Sequence, residues 1–224
     1  AYSAVSQLTD TDYEHRYFVD GSPTAGDVYI NNDWRTVLVG TMGVGGRSVF
    51  AIDVTDPDAL GANSVLWEFS DPDLGRGVSD VQIVPMENGK FAAVFGNGYS
   101  SANNRAVLFI VDIETGALIR KVDTGVGSAA SPNGMPVPQA SDWPAGNLLT
   151  QYIYAGDLQG NVWRFDVSSS NTNQWTNNSR RKLLFTARDN LGNVQPITVQ
   201  PRVAISPGSA AELIITFGTG SYFR

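Results

Sequence analysis

The chain has 224 residues, of which 42% are hydrophobic and 17% are charged, a balance typical of a globular rather than a disordered protein. Its 22 acidic and 15 basic residues give a formal net charge of −7, which disfavours a nucleic-acid partner because phosphates would be repelled. The sequence has no cysteine and no apolar run of about 18 residues, so it excludes disulfides, thiolate metal sites and a membrane-spanning helix.

The predicted elements are almost all β-strands. Residues 1–12 show little apolar patterning, and we expect them to form an N-terminal tail. From residue 13 to residue 224, segments rich in Val, Ile, Phe, Tyr and Trp alternate with Gly, Asn, Asp and Pro, which is typical of strands joined by turns. In chain order, strands are predicted at Pro23–Ile30, Thr36–Gly40, Ser48–Val54, Val65–Phe69, Val81–Met86, Phe91–Phe95, Ala106–Ile113, Ala117–Val122, Met135–Ala140, Tyr152–Ala155, Asn161–Val167, Lys182–Thr186, Arg202–Ile205 and Leu213–Phe217.

These strands belong to a repeat. A short apolar strand ending in glycine is followed by a loop and by a second strand that ends in Asp and a β-branched residue. We call the four glycines the repeat glycines; they lie 56 to 62 residues apart, and a fixed spacing of this order indicates repeated supersecondary units. They are Gly40, Gly96, Gly156 and Gly218, and the second strands of the first three copies end at Asp53, Asp112 and Asp166.

Four strands per repeat predict the blade of a β-propeller. The blades fall at about 17–70, 78–125 and 133–188, with an incomplete one at 198–224. The middle strands are apolar on both faces, which favours blades packed face to face over the alternative of a β-sandwich, whose strands would alternate cleanly. The predicted fold class is therefore all-β, a partial propeller of about three to four antiparallel blades.

Three blades and part of a fourth cannot close a ring. The open blade faces would expose large apolar patches. We therefore expect the missing blades to come from the same parent chain or from a second copy.

Four strings of residues are more specific than the repeat itself. They are Tyr17-Phe18-Val19-Asp20-Gly21-Ser22-Pro23, Phe95-Gly96-Asn97-Gly98-Tyr99, Val111-Asp112-Ile113-Glu114-Thr115-Gly116 and Tyr154-Ala155-Gly156-Asp157-Leu158-Gln159-Gly160-Asn161-Val162-Trp163-Arg164-Phe165-Asp166. Together they closely resemble the C-terminal propeller domain of the PilC/PilY family of type IV pilus proteins. The resemblance runs from about Tyr13 to Phe223.

The resemblance implies both a fold and a function. The family's domain is a modified seven-bladed propeller related to the quinoprotein dehydrogenase fold. The family implies a non-enzymatic, exported protein of the cell surface, pilus tip, outer membrane or periplasm. Such a protein supports pilus assembly, opposes retraction and contributes to surface attachment and twitching motility. Its expected partners are pilin or minor pilins, and a host or abiotic surface. Residues 1–7 show no export signal, so we expect one to lie upstream or to have been removed.

The resemblance also draws attention to one candidate metal site. Family members commonly carry an Asp-rich calcium loop just before the strand that matches Tyr152 to Gly156. Here the corresponding stretch, 142–151, has a single carboxylate, Asp142, with Asn147 and Gln151 as neutral oxygen donors. Calcium prefers several oxygen ligands at alternating positions, so these three residues form a degenerate loop and no metal or other cofactor is expected.

Other conspicuous residues have structural interpretations. The strand-end aspartates Asp53, Asp112 and Asp166 recur once per repeat, which favours hydrogen bonding in turns and at strand ends over catalysis. Asp157 lies in a Gly-Asp-Leu-Gln-Gly-Asn turn and has the same interpretation. His15 is the single histidine, so no histidine pair can bind zinc, and no catalytic residue is predicted.

Tryptophans supply the remaining candidates. Trp67 and Trp163 lie within strands and are expected to pack between blades rather than to stack on a cofactor. Trp175, in the polar stretch 168–178, is the one candidate for contacting a partner, with packing at a strand edge as the alternative.

Two other functions remain open from the residues alone. One is a fragment of a quinoprotein-type dehydrogenase, which would need a calcium-bound quinone, a general-base Asp and aromatic stacking. The other is a periplasmic scaffold propeller for outer-membrane assembly, which shares the fold without a pilus.

Overall fold

The computed structural model describes residues 2–221, with side chains from residue 6 onward. It is an all-β structure, so the predicted fold class is confirmed. Among the described residues no helix is long and apolar enough to span a membrane. The strands are β1 (Thr24–Ile30), β2 (Asp33–Thr41), β3 (Val49–Asp53), β4 (Val65–Phe69), β5 (Gln82–Pro85), β6 (Phe91–Gly96), β7 (Val107–Asp112), β8 (Leu118–Asp123), β9 (Gln139–Ser141), β10 (Tyr152–Gly156), β11 (Asn161–Asp166), β12 (Arg181–Thr186), β13 (Arg202–Ser206) and β14 (Ser209–Thr216).

The strands form successive antiparallel sheets in chain order. Blade 1 is β1 to β4, blade 2 is β5 to β8, blade 3 is β9 to β12, and β13 pairs with β14 in a two-stranded blade 4. Strand β1 contacts β5, β5 contacts β9, and β9 contacts β13, so the first strand of each blade lies innermost, as in a propeller. Short 3-10 helices lie at Tyr2–Thr9, Pro57–Ala59, Ala62–Ser64, Thr172–Thr176 and Asn178–Arg180.

The apolar core lies between the blades. Blade 1 and blade 2 bury one cluster that includes Val39, Phe95 and Phe109, with the rings of the two phenylalanines stacked at 5.6 Å. Blade 2 and blade 3 bury a second cluster that includes Ile110 and Phe165. Every residue of β7 is buried because this strand is covered on both faces. The predicted apolar character of the middle strands is confirmed here.

One strand prediction is partly wrong. The sequence predicts that the first strand of blade 3 begins at Met135, but β9 begins only at Gln139. Pro136 and Pro138 have no backbone N–H with which to pair, so the stretch cannot join a ladder. It instead packs against blade 2, where Met135 bridges to Gly98.

Close packing explains the repeat glycines better than backbone conformation does. The sequence places glycine at strand ends, where a positive φ would require it, yet Gly96 and Gly156 have no positive φ. A Cβ at Gly96 would overlap the carbonyl oxygen of Pro136, and one at Gly156 would overlap the side chain of Ile197. Glycine at these positions lets the connection to the next blade cross directly over the strand.

Candidate binding face

The loops of the propeller divide between two faces. We call the upper face the one formed by the loops 42–48, 97–106 and 157–160 together with the blade-to-blade connections 70–81, 124–138 and 187–201. The lower face carries the remaining turns, including the stretch 142–151. Antiparallel strand order alone sorts the loops this way, because successive turns alternate between the two ends of a blade.

Polar side chains brace the upper face at the residue after each repeat glycine. The hydroxyl of Thr41 donates to the carbonyl of Val78 at 2.5 Å. The fully buried Asn97 donates to the carbonyls of Asp73 and Arg105 at 3.0 and 2.8 Å, and its oxygen accepts from the N–H groups of Val107 and Met135. Each brace joins a strand to a connection between blades, so the loops of neighbouring blades are held together.

Asp157 is the brace of blade 3, and its carboxylate is completely buried. One oxygen accepts from the side chains of Asn133, Asn161 and Trp163 at 2.8 to 3.0 Å. The other accepts from the backbone N–H groups of Gln159 and Asn161 at 2.9 and 3.0 Å. A buried carboxylate needs such donors to offset its desolvation. The predicted structural role of Asp157 is confirmed.

The strand-end aspartates also have the structural role expected of them. Each accepts hydrogen bonds from the turn that follows, as Asp53 does from the backbone and hydroxyl of Thr55. These bonds, together with Arg35, hold the pKa of Asp53 below its usual value against the opposing effect of burial. Asp112 is paired with Lys90 and Asp166 with Arg180, so each copy has a basic partner.

Trp67 and Trp163 have the packing role that the sequence predicts. Trp67 and Trp163 are buried between blades, and the indole of Trp67 donates to the carbonyl of Ile113 at 2.8 Å, as expected for packing residues. His15 is exposed and lies edge-on to Tyr17.

Of the two roles left open for Trp175, contact with a partner is wrong and packing at the edge of a blade is the one observed. Its side chain is 1% exposed and belongs to the cluster between blades 2 and 3. Its indole donates to the carbonyl of Ser169 at 2.7 Å. The polar stretch around it folds back against β8, where the guanidinium of Arg120 donates to the carbonyl of Thr172. Trp175 therefore packs at the edge of a blade although the residues around it are polar.

The stretch 142–151 does not fit a calcium site. The side-chain amide nitrogens of Asn147 and Gln151 both donate to one oxygen of Glu87 in blade 2. The amide oxygen of Asn147 already accepts from the backbone of Leu149 at 3.0 Å. Across the described residues no three His, Asp or Glu side chains converge as a metal site. The stretch also reaches blade 4, because the indole of Trp143 donates to the carbonyl of Ala210 at 3.3 Å.

The upper face contains a cavity that no sequence motif indicated. We call it the upper pocket; its volume is about 310 Å³, and its lining is mostly apolar. It lies where loops of three blades meet, so residues distant in sequence share one wall. Its main lining residues are Val44, Arg76, Tyr99, Pro132 and Leu158.

Arg76 lines this pocket, and Arg47 is hydrogen-bonded to Ser100, another of its lining residues. Arg76 donates to the carbonyl of Val44 at 2.9 Å, and Arg47 donates to the carbonyl of Ser100 at 2.9 Å. Within the described part of the chain neither guanidinium is paired with a carboxylate. Burial raises the pKa of Tyr99 to about 12, so its phenol is neutral at physiological pH.

Comparison with known proteins identifies the family. A family model described as the PilY1 beta-propeller domain matches residues 2–224. The chain belongs to the PilY1 beta-propeller family. The family resemblance expected from the four strings of residues is therefore confirmed.

Several relatives carry names that refer to the pilus. The chain is 42% identical to the type IV pilus biogenesis factor PilY1 homolog of Xylella fastidiosa over 96% of this chain and 16% of that protein. It is 38% identical to the type IV pilus biogenesis factor PilY1 of Pseudomonas aeruginosa strain PAO1 over 100% of this chain and 21% of that protein. The chain thus spans about a fifth of these relatives' length.

A solved structure supports the same assignment. The crystal structure of the Pseudomonas aeruginosa PilY1 C-terminal domain matches with a TM-score of 0.80 at 36% identity. The match covers 98% of this chain and 48% of that one. The propeller architecture of the PilY1 family therefore applies to nearly the whole chain.

Proposed function

We propose that this chain is the propeller part of a type IV pilus biogenesis factor and that it acts as a non-enzymatic binding scaffold. The observation that carries the proposal is the family match over residues 2–224, together with relatives named as pilus biogenesis factors. In this function the parent protein is exported to the cell surface or pilus tip. It supports pilus assembly, opposes retraction, and contributes to surface attachment and twitching motility, with pilin or minor pilins as partners.

The construction of the upper face supports a scaffold role. The braces at Thr41, Asn97 and Asp157 hold loops from neighbouring blades in fixed positions. Loops on a rigid framework are the usual location of binding residues. A partner that docks on such preorganised loops loses less conformational entropy on binding.

Exposed apolar residues of blades 3 and 4 belong to the same proposal. Leu183 and Phe185 on β12 are 51% and 56% exposed, and Ile205 on β13 is 58% exposed. Apolar strand residues this accessible are covered in a closed propeller by further blades. We assign that cover to other blades of the parent chain or to a second copy.

The test is an in-frame deletion of this chain from the parent gene in its native host. We expect loss of surface pili in sheared fractions and of twitching zones on agar, with the shortened protein still detected by immunoblot. A strain carrying Lys182→Gln, a change of one exposed charge, serves as the matched control and should behave as wild type.

A second strain separates assembly from retraction. The same deletion is placed in a background that lacks the retraction motor. Return of surface pili there would identify opposition to retraction, whereas continued loss would identify a role in assembly. Normal pili and normal twitching in the first deletion strain, with stable shortened protein, would contradict the proposed function.

A further inference from the structure

We propose that the upper pocket binds a peptide segment of a partner protein in which a carboxylate lies next to an apolar side chain. The proposal deepens the scaffold function, on which it rests only for the idea that the propeller binds protein. It names the chemistry of the partner and the residues of this chain that recognise it.

The floor of the pocket is apolar. Val44, Tyr99 and Leu158 are half-buried and Pro132 is exposed, so their apolar surfaces are accessible from the cavity. A volume of about 310 Å³ lies at the lower end for a small-ligand site and suits one or two side chains of a peptide. Burial of an apolar side chain there would supply about 25 cal/mol for each square ångström removed from water.

The walls of the pocket are held by backbone hydrogen bonds between blades. Arg76 and Tyr99 exchange two N–H to carbonyl bonds of 2.7 Å, which join the connection after blade 1 to a loop of blade 2. Gly77 adopts a φ of +71°, and a Cβ at this residue would press on the ring of Tyr99. Leu158 is held in the same way, because its N–H donates to the carbonyl of Gly134. The pocket is thus preformed, which lowers the entropic cost of binding.

The charge at the pocket selects the partner. The basic residues Arg35, Lys90, Arg105, Lys121 and Arg180 are all paired with aspartates. Arg47 and Arg76, by contrast, use one nitrogen each on a backbone carbonyl and leave further N–H donors for a ligand. In a chain with a net charge of −7 they form a local positive site, which attracts a carboxylate and repels basic segments.

An apolar floor flanked by arginines therefore recognises two adjacent features of a peptide. The apolar side chain enters the cavity, while the carboxylate accepts hydrogen bonds from a guanidinium at its rim. Hydrogen bonds between charged groups are stronger than those between neutral ones, so the carboxylate decides selectivity. The apolar contact makes the site different from one that binds free phosphate, which has no apolar part.

The experiment compares two peptides on the 224-residue chain. The isotopically labelled protein is titrated with acetyl-Leu-Phe-Glu-amide and with acetyl-Leu-Phe-Gln-amide, and backbone amide shifts are followed by NMR. We expect the Glu peptide to shift the amides of Gly77, Ser100 and Leu158 in a saturable way. The Gln peptide should bind about three- to tenfold more weakly because it lacks the charge.

Variants locate the interaction. Arg76→Gln and Arg47→Gln should each lower the affinity for the Glu peptide about threefold or more and leave the affinity for the Gln peptide unchanged. Arg202→Gln is the matched control, because Arg202 is an exposed arginine of β13 that does not line the upper pocket. It should change neither affinity.

Several outcomes would overturn the proposal. Equal affinity for the two peptides, shifts confined to other faces, or unchanged binding by a well-folded Arg76→Gln variant would each do so. Inorganic phosphate that displaced the Glu peptide at equal concentration would show an anion site without apolar recognition. If the variants do not fold, as judged by their NMR spectra, the salt dependence of peptide binding to the wild-type protein decides. Only the affinity for the Glu peptide should fall with added salt. These results are independent of any pilus phenotype, so failure here leaves the scaffold function to its own test.

Discussion

The two faces of blade 3 are built from different chemistry. The face toward blade 2 consists of buried apolar side chains, among them Ile153, Trp163 and Phe165. The face toward blade 4 carries Tyr152, Tyr154 and Arg164, with a small apolar cluster beside them. A repeat can therefore keep its backbone geometry while it changes how one blade recognises the next.

Alignment of the repeats makes the contrast sharper. Arg164 occupies the position of Ala51 in blade 1 and Ile110 in blade 2, both of which face the next blade and are fully buried. Its guanidinium lies 4.6 Å from the ring centre of Tyr152, a cation–π arrangement. The Nε atom of Arg164 is buried and has no hydrogen-bond partner among the described residues. Shape thus specifies the first two interfaces, whereas charge and aromatic contact dominate the third.

The largest expected effect tests the apolar side of this comparison. Phe165→Ala removes a side chain that is 1% exposed between blades 2 and 3, and should lower the free energy of unfolding by about 3–5 kcal/mol. Phe185→Ala is the matched control, because Phe185 on blade 3 is 56% exposed and should cost less than about 1 kcal/mol. Urea denaturation followed by tryptophan fluorescence measures both. Similar losses for the two variants would contradict the apolar interface as the main source of stability.

A smaller loss of stability is expected when the buried carboxylate of Asp157 in blade 3 is replaced. Asp157→Asn replaces an acceptor with an NH₂ group that faces the donors of Asn133 or Trp163, and should cost about 2–3 kcal/mol. Asp189→Asn is the control, since Asp189 accepts similar hydrogen bonds from its own turn but is only partly buried. We expect little change there. If both variants lost the same stability in urea, burial would not be the reason that Asp157 matters.

A substitution on the polar face of blade 3 should raise stability rather than lower it. Arg164→Ile installs the residue that blade 2 carries at this position and removes a buried nitrogen without a partner. We expect the free energy of unfolding of this chain to rise by about 1 kcal/mol. Lys182→Ile, at the paired position of β12, is the control and should have a smaller effect. A loss of stability in Arg164→Ile would show that the cation–π contact outweighs the cost of burial.

The smallest effect concerns pH and the strand-end aspartate of blade 1. The pKa of Asp53 is lowered in the folded protein, so its contribution to stability is present above the unfolded value near 4 and is lost as the pH falls through the folded pKa. Asp53→Asn should therefore lower stability slightly at pH 7 and reduce the loss seen on acidification from about pH 5 to pH 2. Thermal melts across this range measure it. Parallel melting curves for the two proteins would refute the coupling.

Much of this fold could be predicted because the signals are local. Glycines and apolar strings give the strand positions to within a few residues, and the once-per-repeat recurrence of Asp53, Asp112 and Asp166 indicates turn hydrogen bonding. Residues 135–138 have the apolar content of a strand, but two prolines among them lack the N–H groups that a ladder needs.

The candidate site could not be predicted in the same way. The upper pocket joins Val44, Arg76, Tyr99 and Leu158, which come from four separate loops, so no window of sequence contains it. The burial of Trp175 could not be predicted because the polar residues around it do not indicate whether the loop folds back onto its blade. The contact of Glu87 with Asn147 and Gln151 could not be predicted, because Glu87 lies far in sequence from the two amides whose hydrogen bonds it accepts. The replacement of Ala51 and Ile110 by Arg164, however, was visible from the aligned repeats.

The stretch 142–151 has a mechanical consequence. It is tied to blade 2 through Glu87 and to blade 4 through the indole of Trp143 and the backbone of Ala210. A force applied to this stretch would be distributed over blades 2, 3 and 4 rather than separating the strands of one blade. Such a cross-tie joins three blades at the lower face, opposite the braces of the upper face.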